Sequence, residues 1–310
     1  NIGFKGGKIL EPALGTGNFF GSMPEEMRNN SQLSGVELDS ITGRIAKLLY
    51  PSANIQIKGY EDTNFENNSF DVAVSNVPFG SYKVNDKEYN KQNMLIHDYF
   101  FSKTLDKVRP GGLIAFVTSK GTLDKENSEV RKYLAERAEL LGAIRLPNTA
   151  FKNNAGTEVT SDIIFLQKRE KPISVEQNTP DWVFKDILDN GIAVNKYFAD
   201  HPEMILGEMA EGNKMFGNGT TCIPFDGADL KEQLAAAIQN IKGKYNKTVK
   251  SAERENASHA ETVSCPPDAP KYSYVISDDK LYYHKAGDTM ELVDTKDTDR
   301  IKAMTQLRAS

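Results

Sequence analysis

The stretch Ile9-Leu10-Glu11-Pro12-Ala13-Leu14-Gly15-Thr16-Gly17-Asn18-Phe19 decides how the rest of the chain is read. It starts as a short apolar strand, turns at two glycines and opens a helix. Glycine at such a corner lets the backbone approach a ligand closely, beside the free N–H groups of a helix start. Further on, Gly35-Val36-Glu37-Leu38-Asp39 places a carboxylate at the end of a second strand, where it can accept both hydroxyls of a ribose. Taken singly, each has a bland explanation: a plain strand–helix corner, an exposed strand-end charge. Taken together they point to a nucleoside.

The loop also discriminates between nucleosides. A dinucleotide loop carries a third glycine where this chain has Phe20, and Glu11 just ahead of the turn repels a pyrophosphate. The same carboxylate attracts an ammonium. The corner therefore suits a nucleoside with a cationic amino-acid tail, S-adenosyl-L-methionine, with Glu11, Gly15, Gly17 and Glu37 holding it.

Outward from this corner, short apolar runs alternate with amphipathic stretches. The runs fall at 8–14, 32–38, 54–58, 70–75, 113–119, 140–146 and 163–167, and helical patterns at about 18–29, 40–49, 93–108 and 127–138. This alternation predicts a mostly parallel sheet covered by helices on both faces. The last two runs are joined by a polar loop, 147–160, rich in Asn and Gly, which predicts an antiparallel final strand. The expected fold is α/β: a seven-stranded, mostly parallel sheet with its last strand antiparallel, the layout of a Rossmann-like class I methyltransferase, plus a smaller C-terminal α+β appendage. Pro172 and Pro180 mark the boundary, so residues 1–170 are expected to form the methyltransferase domain and 171–310 the appendage and linker. There, helices are expected near 181–190, at about 229–245 and from about Thr298. A polar, Gly-rich segment runs through Gly219, a linker covers 246–272, and strands 272–276 and 280–284 flank a hairpin turn.

Ser75-Asn76-Val77-Pro78-Phe79-Gly80 ends the fourth run, at the strand ends where doubly wound sheets bind ligands. Methylating an exocyclic amine requires its lone pair, normally delocalised into the ring, to be turned toward the methyl donor. Two acceptors on the amine hydrogens achieve this: the Asn76 side-chain oxygen and the backbone carbonyl of Val77. Pro78 stiffens the turn and Phe79 offers a face to a flat substrate. An Asn-x-Pro turn is common by itself; beside the cofactor corner it reads as a catalytic motif.

With these residues the chain resembles the amino-methyltransferases that carry an Asn-Pro-Pro-Tyr/Phe motif, specifically the adenine-N6 DNA methyltransferases. The likeness covers about 8–169 and includes Glu11 to Phe19, Glu37, Asn76 to Gly80, His97-Asp98-Tyr99-Phe100-Phe101 and Arg109-Pro110-Gly111-Gly112. Val77 departs from the pattern. The group needed there is a carbonyl that any residue has, although the turn is less rigid. Within that group the chain is most similar to the methylase portion of large helicase–methylase proteins of conjugative elements and phages. Residues 75–80, Thr118-Ser119-Lys120-Gly121-Thr122-Leu123-Asp124, 142–151 and 202–207 carry this likeness. The resemblance implies Pro12 and Phe19 beside the cofactor, S-adenosyl-L-methionine as methyl donor, DNA as partner and the N6 amine of adenine as target. It also implies a covalently linked helicase domain after residue 310 and a cofactor-covering segment before residue 1.

Secondary site candidates carry alternatives. Tyr60, Glu61 and Asp62 end the third run, where related enzymes place a carboxylate on the cofactor's adenine amine; Glu61 or Asp62 fits, as does an idle loop charge. Phe151 could sandwich a flipped base or simply anchor its loop. Asp98 is expected to serve a helix N-terminus, and His97 beside it is a candidate contact to cofactor or substrate.

Composition sets the outer limits. The 310 residues are 39% hydrophobic and 26% charged, ordinary for a globular protein. No apolar run approaches the roughly 20 residues that span a bilayer, and no charged-then-apolar leader opens the chain. A soluble, cytoplasmic protein with no membrane partner is expected. Cys222 and Cys265 are far apart without a CxxC companion, which argues against structural zinc and a disulfide framework, and no metal is expected. Residues 1–170 hold 21 Lys+Arg and 21 Asp+Glu, whereas 171–310 hold 17 and 22, so the whole net charge of −5 lies in the second part. Contact with a polyanion must then come from a local basic patch or another domain. Asn1 is not an initiator methionine and a strand begins almost at once, which suggests a piece of a longer protein. Two rival functions remain: a protein glutamine-N5 methyltransferase, which faces the same amine problem, and a degenerate methylase-like module that docks or positions DNA.

Overall fold

The protein is described from a computed structural model, over residues 2–152, 156, 158–212, 219–245, 262–264, 266, 273–284, 289–293 and 298–309. It divides into two compact units, 1–246 and 247–310. In the first, the chain runs through β1 (Lys8–Glu11), α1 (Asn18–Ser22), α2 (Glu25–Asn29), β2 (Gln32–Glu37), α3 (Ser40–Leu49), β3 (Asn54–Ile57), β4 (Phe70–Asn76), α4 (Ile96–Lys107), β5 (Val108–Ser119), α5 (Gly121–Asp124), α6 (Glu129–Arg137), β6 (Ala138–Leu146) and β7 (Ser161–Lys168).

These strands form one seven-stranded sheet in the order β3-β2-β1-β4-β5-β7-β6. The first five pair in parallel, and β7 lies antiparallel between β5 and β6. The central strands bury near-continuous apolar runs, including Leu10, Ala73, Ile114 and Phe116, as a sheet covered on both faces demands. A parallel pair requires a crossover, and the polar loop between β6 and β7 provides none, so that strand returns antiparallel as expected. The order in which strands are added reverses between β1 and β4, which opens a crevice at their C-terminal ends.

Several elements differ from the sequence reading. The helix expected at 18–29 breaks at Pro24, which forces Met23 into an extended conformation (φ −68°, ψ 135°). The strand expected at 113–119 begins at Val108: the Arg109-Pro110-Gly111-Gly112 segment is absorbed by a register shift opposite Phe70 and Val72. The helix expected near 181–190 is a 3-10 turn, Asp181–Val183, followed by a hairpin of β8 (Lys185–Ile187) and β9 (Ala193–Asn195). Asn190-Gly191 closes this hairpin, with Gly191 at φ 82°.

The remainder of the first unit is α7 (Lys196–Asp200), the hairpin of β10 (Glu208–Glu211) and β11 (Thr220–Ile223), and α8 (Leu230–Gln239), which ends short of the expected Tyr245. Trp182, Val183, Phe198, Met204, Met209 and Cys222 join the same apolar cluster as the sheet. The second unit holds β12 (Thr262–Ser264), β13 (Ser273–Ser277), β14 (Lys280–His284) and β15 (Thr289–Leu292) as an antiparallel sheet, and α9 (Thr298–Ala309). Asp278 and Asp279, both at positive φ, form the β13–β14 turn. Much of the expected 246–272 linker, with Cys265, lies outside the described residues. No helix among the described residues is long and apolar enough to cross a membrane.

Candidate active site

Glu11 ends β1 at the crevice. Its residue is 2% exposed, and one carboxylate oxygen has no hydrogen-bond partner. Burial, with Glu37 nearby, pushes its pKa up to about 9. The turn that follows is built for close approach. Gly15 sits at φ 58° with open space where a side chain would be, and Gly17 at φ 87° lies so close to Tyr50 that a Cβ would come within 2.4 Å of the ring. Tyr50 donates its hydroxyl to the Gly17 carbonyl at 2.9 Å and fixes the turn from outside. Pro12 is buried and Phe19 half-buried.

Glu37, at the end of β2, closes the loop from the other side. One carboxylate oxygen accepts the Gly15 N–H at 2.7 Å and the other accepts the Asp39 N–H at 2.8 Å, each keeping a second lone pair. Asp39 then caps α3 by accepting from Ile41 and Thr42. Next along the crevice, the Ser75 hydroxyl donates to the Ala13 carbonyl at 3.4 Å, joining the corner to the end of β4. Asn76 follows immediately. It is exposed, and its side chain makes no hydrogen bond among the described residues. Val77 is buried and donates its N–H to the Val117 carbonyl at 3.0 Å, while its own carbonyl accepts nothing among the described residues. Pro78 and Phe79 are half-buried. The structure thus brings Glu11, Pro12, Gly15, Gly17 and Glu37 to one edge with Asn76 to Phe79.

The other candidates lie farther out. Tyr60 to Asp62 form a single 3-10 turn beyond β3, pinned by the Tyr60 hydroxyl on Thr104 at 3.1 Å and by Lys103, which donates to the Glu61 carbonyl at 3.1 Å. The Glu61 carboxylate folds over Gly59, while Asp62 is exposed. Phe151 is half-buried and packs on the main apolar core.

Asp98 does not cap its helix. It is fully buried and pairs with Lys125, because α4 begins inside the protein and a buried carboxylate needs a cation more than it needs a backbone N–H. His97 is 5% exposed, and neither ring nitrogen has a hydrogen-bond partner among the described residues, although Nε2 lies 3.7 Å from Asp98 Oδ1. Burial and the Lys125 charge hold its pKa below the ordinary histidine value, although Asp98 pulls the other way.

The sequence reading missed a buried ionic knot at the same sheet edge. Arg145 of β6, fully buried, meets Asp162 of β7 through two hydrogen bonds of 2.8 and 2.9 Å and Asp124 of α5 at 2.8 Å. A lone arginine inside the apolar run Gly142-Ala143-Ile144-Arg145-Leu146 was the available signal.

Glu11 is the feature that fits an ammonium-bearing nucleoside. A carboxylate in the unfolded chain ionises near 4.5, so between there and pH 9 the folded state holds an extra proton and stability declines as pH rises. A cation placed beside it restores ionisation. Binding of S-adenosyl-L-methionine at pH 7 is therefore expected to release up to about one proton. Titration calorimetry in buffers of different ionisation enthalpy measures this. Glu11→Gln should abolish the buffer dependence, weaken binding and raise the melting temperature at pH 8. Heats independent of buffer would remove Glu11 from the cofactor site.

A family model described as N-6 DNA Methylase matches residues 3–192. The chain is 33% identical over 180 residues to the Defense against restriction protein B of Escherichia phage P1, covering 56% of this chain and 8% of that protein. It is 26% identical over 213 residues to the Type I restriction enzyme EcoEI methylase subunit of Escherichia coli, covering 60% of this chain and 42% of the subunit. Both relatives extend well beyond the matched region. Among solved structures, the type I restriction-modification methyltransferase subunit from Streptococcus thermophilus aligns with TM-score 0.48 and 16% identity over 80% of this chain and 53% of that one. Among the described residues, no group of three or more His, Cys, Asp or Glu side chains could hold a metal ion.

Proposed function

This chain belongs to the N-6 DNA methylase family, and on that premise we propose that it transfers a methyl group from S-adenosyl-L-methionine to the N6 amine of adenine in DNA. The observation that carries the reading is the pair of acceptors unengaged among the described residues, the Asn76 side chain and the Val77 carbonyl, set next to a corner where one Glu11 carboxylate oxygen is buried without a hydrogen-bond partner.

S-adenosyl-L-methionine, when bound, supplies an electrophilic sulfonium methyl. Glu11 would face its ammonium, Glu37 its ribose, and Pro12, Gly15, Gly17 and Phe19 would shape the corner. Glu61 or Asp62 would meet its adenine amine. Asn76 and Val77 take the two amine hydrogens of the target and hold the nitrogen lone pair out of the ring. Pro78 limits the turn and Phe79 offers a stacking face, with Phe151 as the second plate. Asn76 is open to solvent, so the proton shed by the nitrogen has a path to water.

Residues 1–170 would carry this chemistry, and the helicase linkage implied by the resemblance remains part of the proposal. The test compares labelled methyl transfer to an adenine-containing duplex with transfer to the same duplex carrying purine, which lacks the amine. Transfer to the first alone supports the reading. Equal transfer to both contradicts it, and transfer to a protein glutamine with none to DNA replaces it.

A further inference from the structure

Lys120 follows β5 directly, one strand beyond β4 on the side away from β1. Asn76 pairs in register with Val117, only three residues earlier, and neighbouring strands lie about 5 Å apart. The sheet therefore places the cofactor corner on one side of the target motif and Lys120 on the other. This lysine is half-buried, and burial holds its pKa below the usual lysine value. It has no ion-pair partner among the described residues. Asp124, four residues on, and Asp162 are both engaged by Arg145, and Asp98 by Lys125. The Lys120 ammonium instead donates to the Thr220 hydroxyl at 3.0 Å.

Thr220 opens β11, and this strand also grips both ends of the polar loop after β6. The Cys222 carbonyl accepts the Asn148 N–H at 2.8 Å, and the Cys222 N–H donates to the Thr160 hydroxyl at 2.8 Å. The Asn148 side-chain oxygen is buried there without a partner. A partly desolvated cation is costly unless paired; among the described residues the Lys120 ammonium has its hydrogen bond to a neutral hydroxyl, with the Arg145-bound carboxylates of Asp124 and Asp162 acting on it at longer range.

Resting on the DNA reading above, we infer that Lys120 binds a phosphodiester of the nucleic acid beside the target base, with the β10–β11 hairpin holding it in place. Fluorescence anisotropy of a short adenine-containing duplex, titrated at sodium chloride from about 0.05 to 0.3 M, tests this on the chain and on Lys120→Ala, Lys120→Met and Lys120→Arg. Lys120→Met keeps the packing of the stem. Losing one phosphate contact should make the log–log salt slope shallower by about 0.9, weaken low-salt binding about 5- to 10-fold, and leave cofactor affinity unchanged. Lys120→Arg should keep both slope and affinity. An unchanged slope in folded Lys120→Ala and Lys120→Met, with the parent binding DNA, overturns the Lys120 assignment alone. Weakened cofactor binding in place of DNA binding assigns the missing anion to the cofactor carboxylate and also overturns it. A parent chain that binds no DNA overturns both this inference and the substrate reading.

Discussion

Asn76→Ala should lower the rate of methyl transfer to adenine by at least about 100-fold while cofactor affinity stays within about twofold. The side chain is exposed and makes no hydrogen bond among the described residues, so its removal costs the fold little. It also lies outside the Gly15–Glu37 hydrogen bond of the proposed cofactor corner. What it offers is an acceptor for an amine hydrogen, and that interaction strengthens as nitrogen gives up its lone pair. The loss therefore falls on the transition state. Two companion variants sharpen the result. Val77→Pro keeps the carbonyl but removes the N–H bonded to Val117, so the turn gains stiffness and loses one hydrogen bond; activity should change little. Phe79→Ala should reduce activity by loss of a stacking surface worth about 1–3 kcal/mol per base. Single-turnover methylation and cofactor titration, run in parallel, read both sides. An Asn76→Ala chain as active as the parent would show that the amine is not activated here.

The largest effect on stability is expected from Arg145→Met. Arg145, Asp124 and Asp162 are buried together, and the guanidinium also lies 4.3 Å from the centre of the Phe198 ring. Removing the cation leaves two buried carboxylates without their ion pair and with Lys120 as a longer-range counter-charge, a change that costs about 3–5 kcal/mol. In a unit of this size that corresponds to a drop in melting temperature of roughly 10 °C. Because the penalty comes from unpaired carboxylates, adding Asp162→Asn and Asp124→Asn should recover part of the loss. Differential scanning calorimetry of the single and triple variants decides this. A single variant that melts with the parent would show that the knot contributes nothing to stability.

The knot also marks where sequence reading ends. The parallel sheet was legible because its signals are local: apolar runs of strand length, helical stretches between them, and glycines at one corner. Pairing Arg145 with Asp162 needs the register of β6 against β7, which sets the two residues opposite each other, and no local pattern encodes a register between strands that distant. Asp124 looks like the natural partner of Lys120, four residues away, and only the fold shows that Arg145 takes it. The hairpin at β8–β9 was misread for a different reason. Trp182, Val183 and Ile187 fall at spacings a helix can use, but Asn190-Gly191 supplies a turn, and buried Val183 and Val194 tie the segment to the core. Asp98 does sit in the first turn of its helix, as the sequence indicates, but its pairing with Lys125 is not legible, since burial cannot be read from one position. The placement of residues 75–80 was legible, because residue order alone puts them at a strand end, and β4 does end at Asn76.

The central claim, an adenine amine methylated at the end of β4, is tested most directly by identifying the product base. DNA incubated with the chain and labelled S-adenosyl-L-methionine is digested to nucleosides and analysed by mass spectrometry. The account predicts N6-methyladenine as the labelled product, and none from Asn76→Ala. Label on cytosine, or N6-methyladenine formed equally by Asn76→Ala, would contradict it.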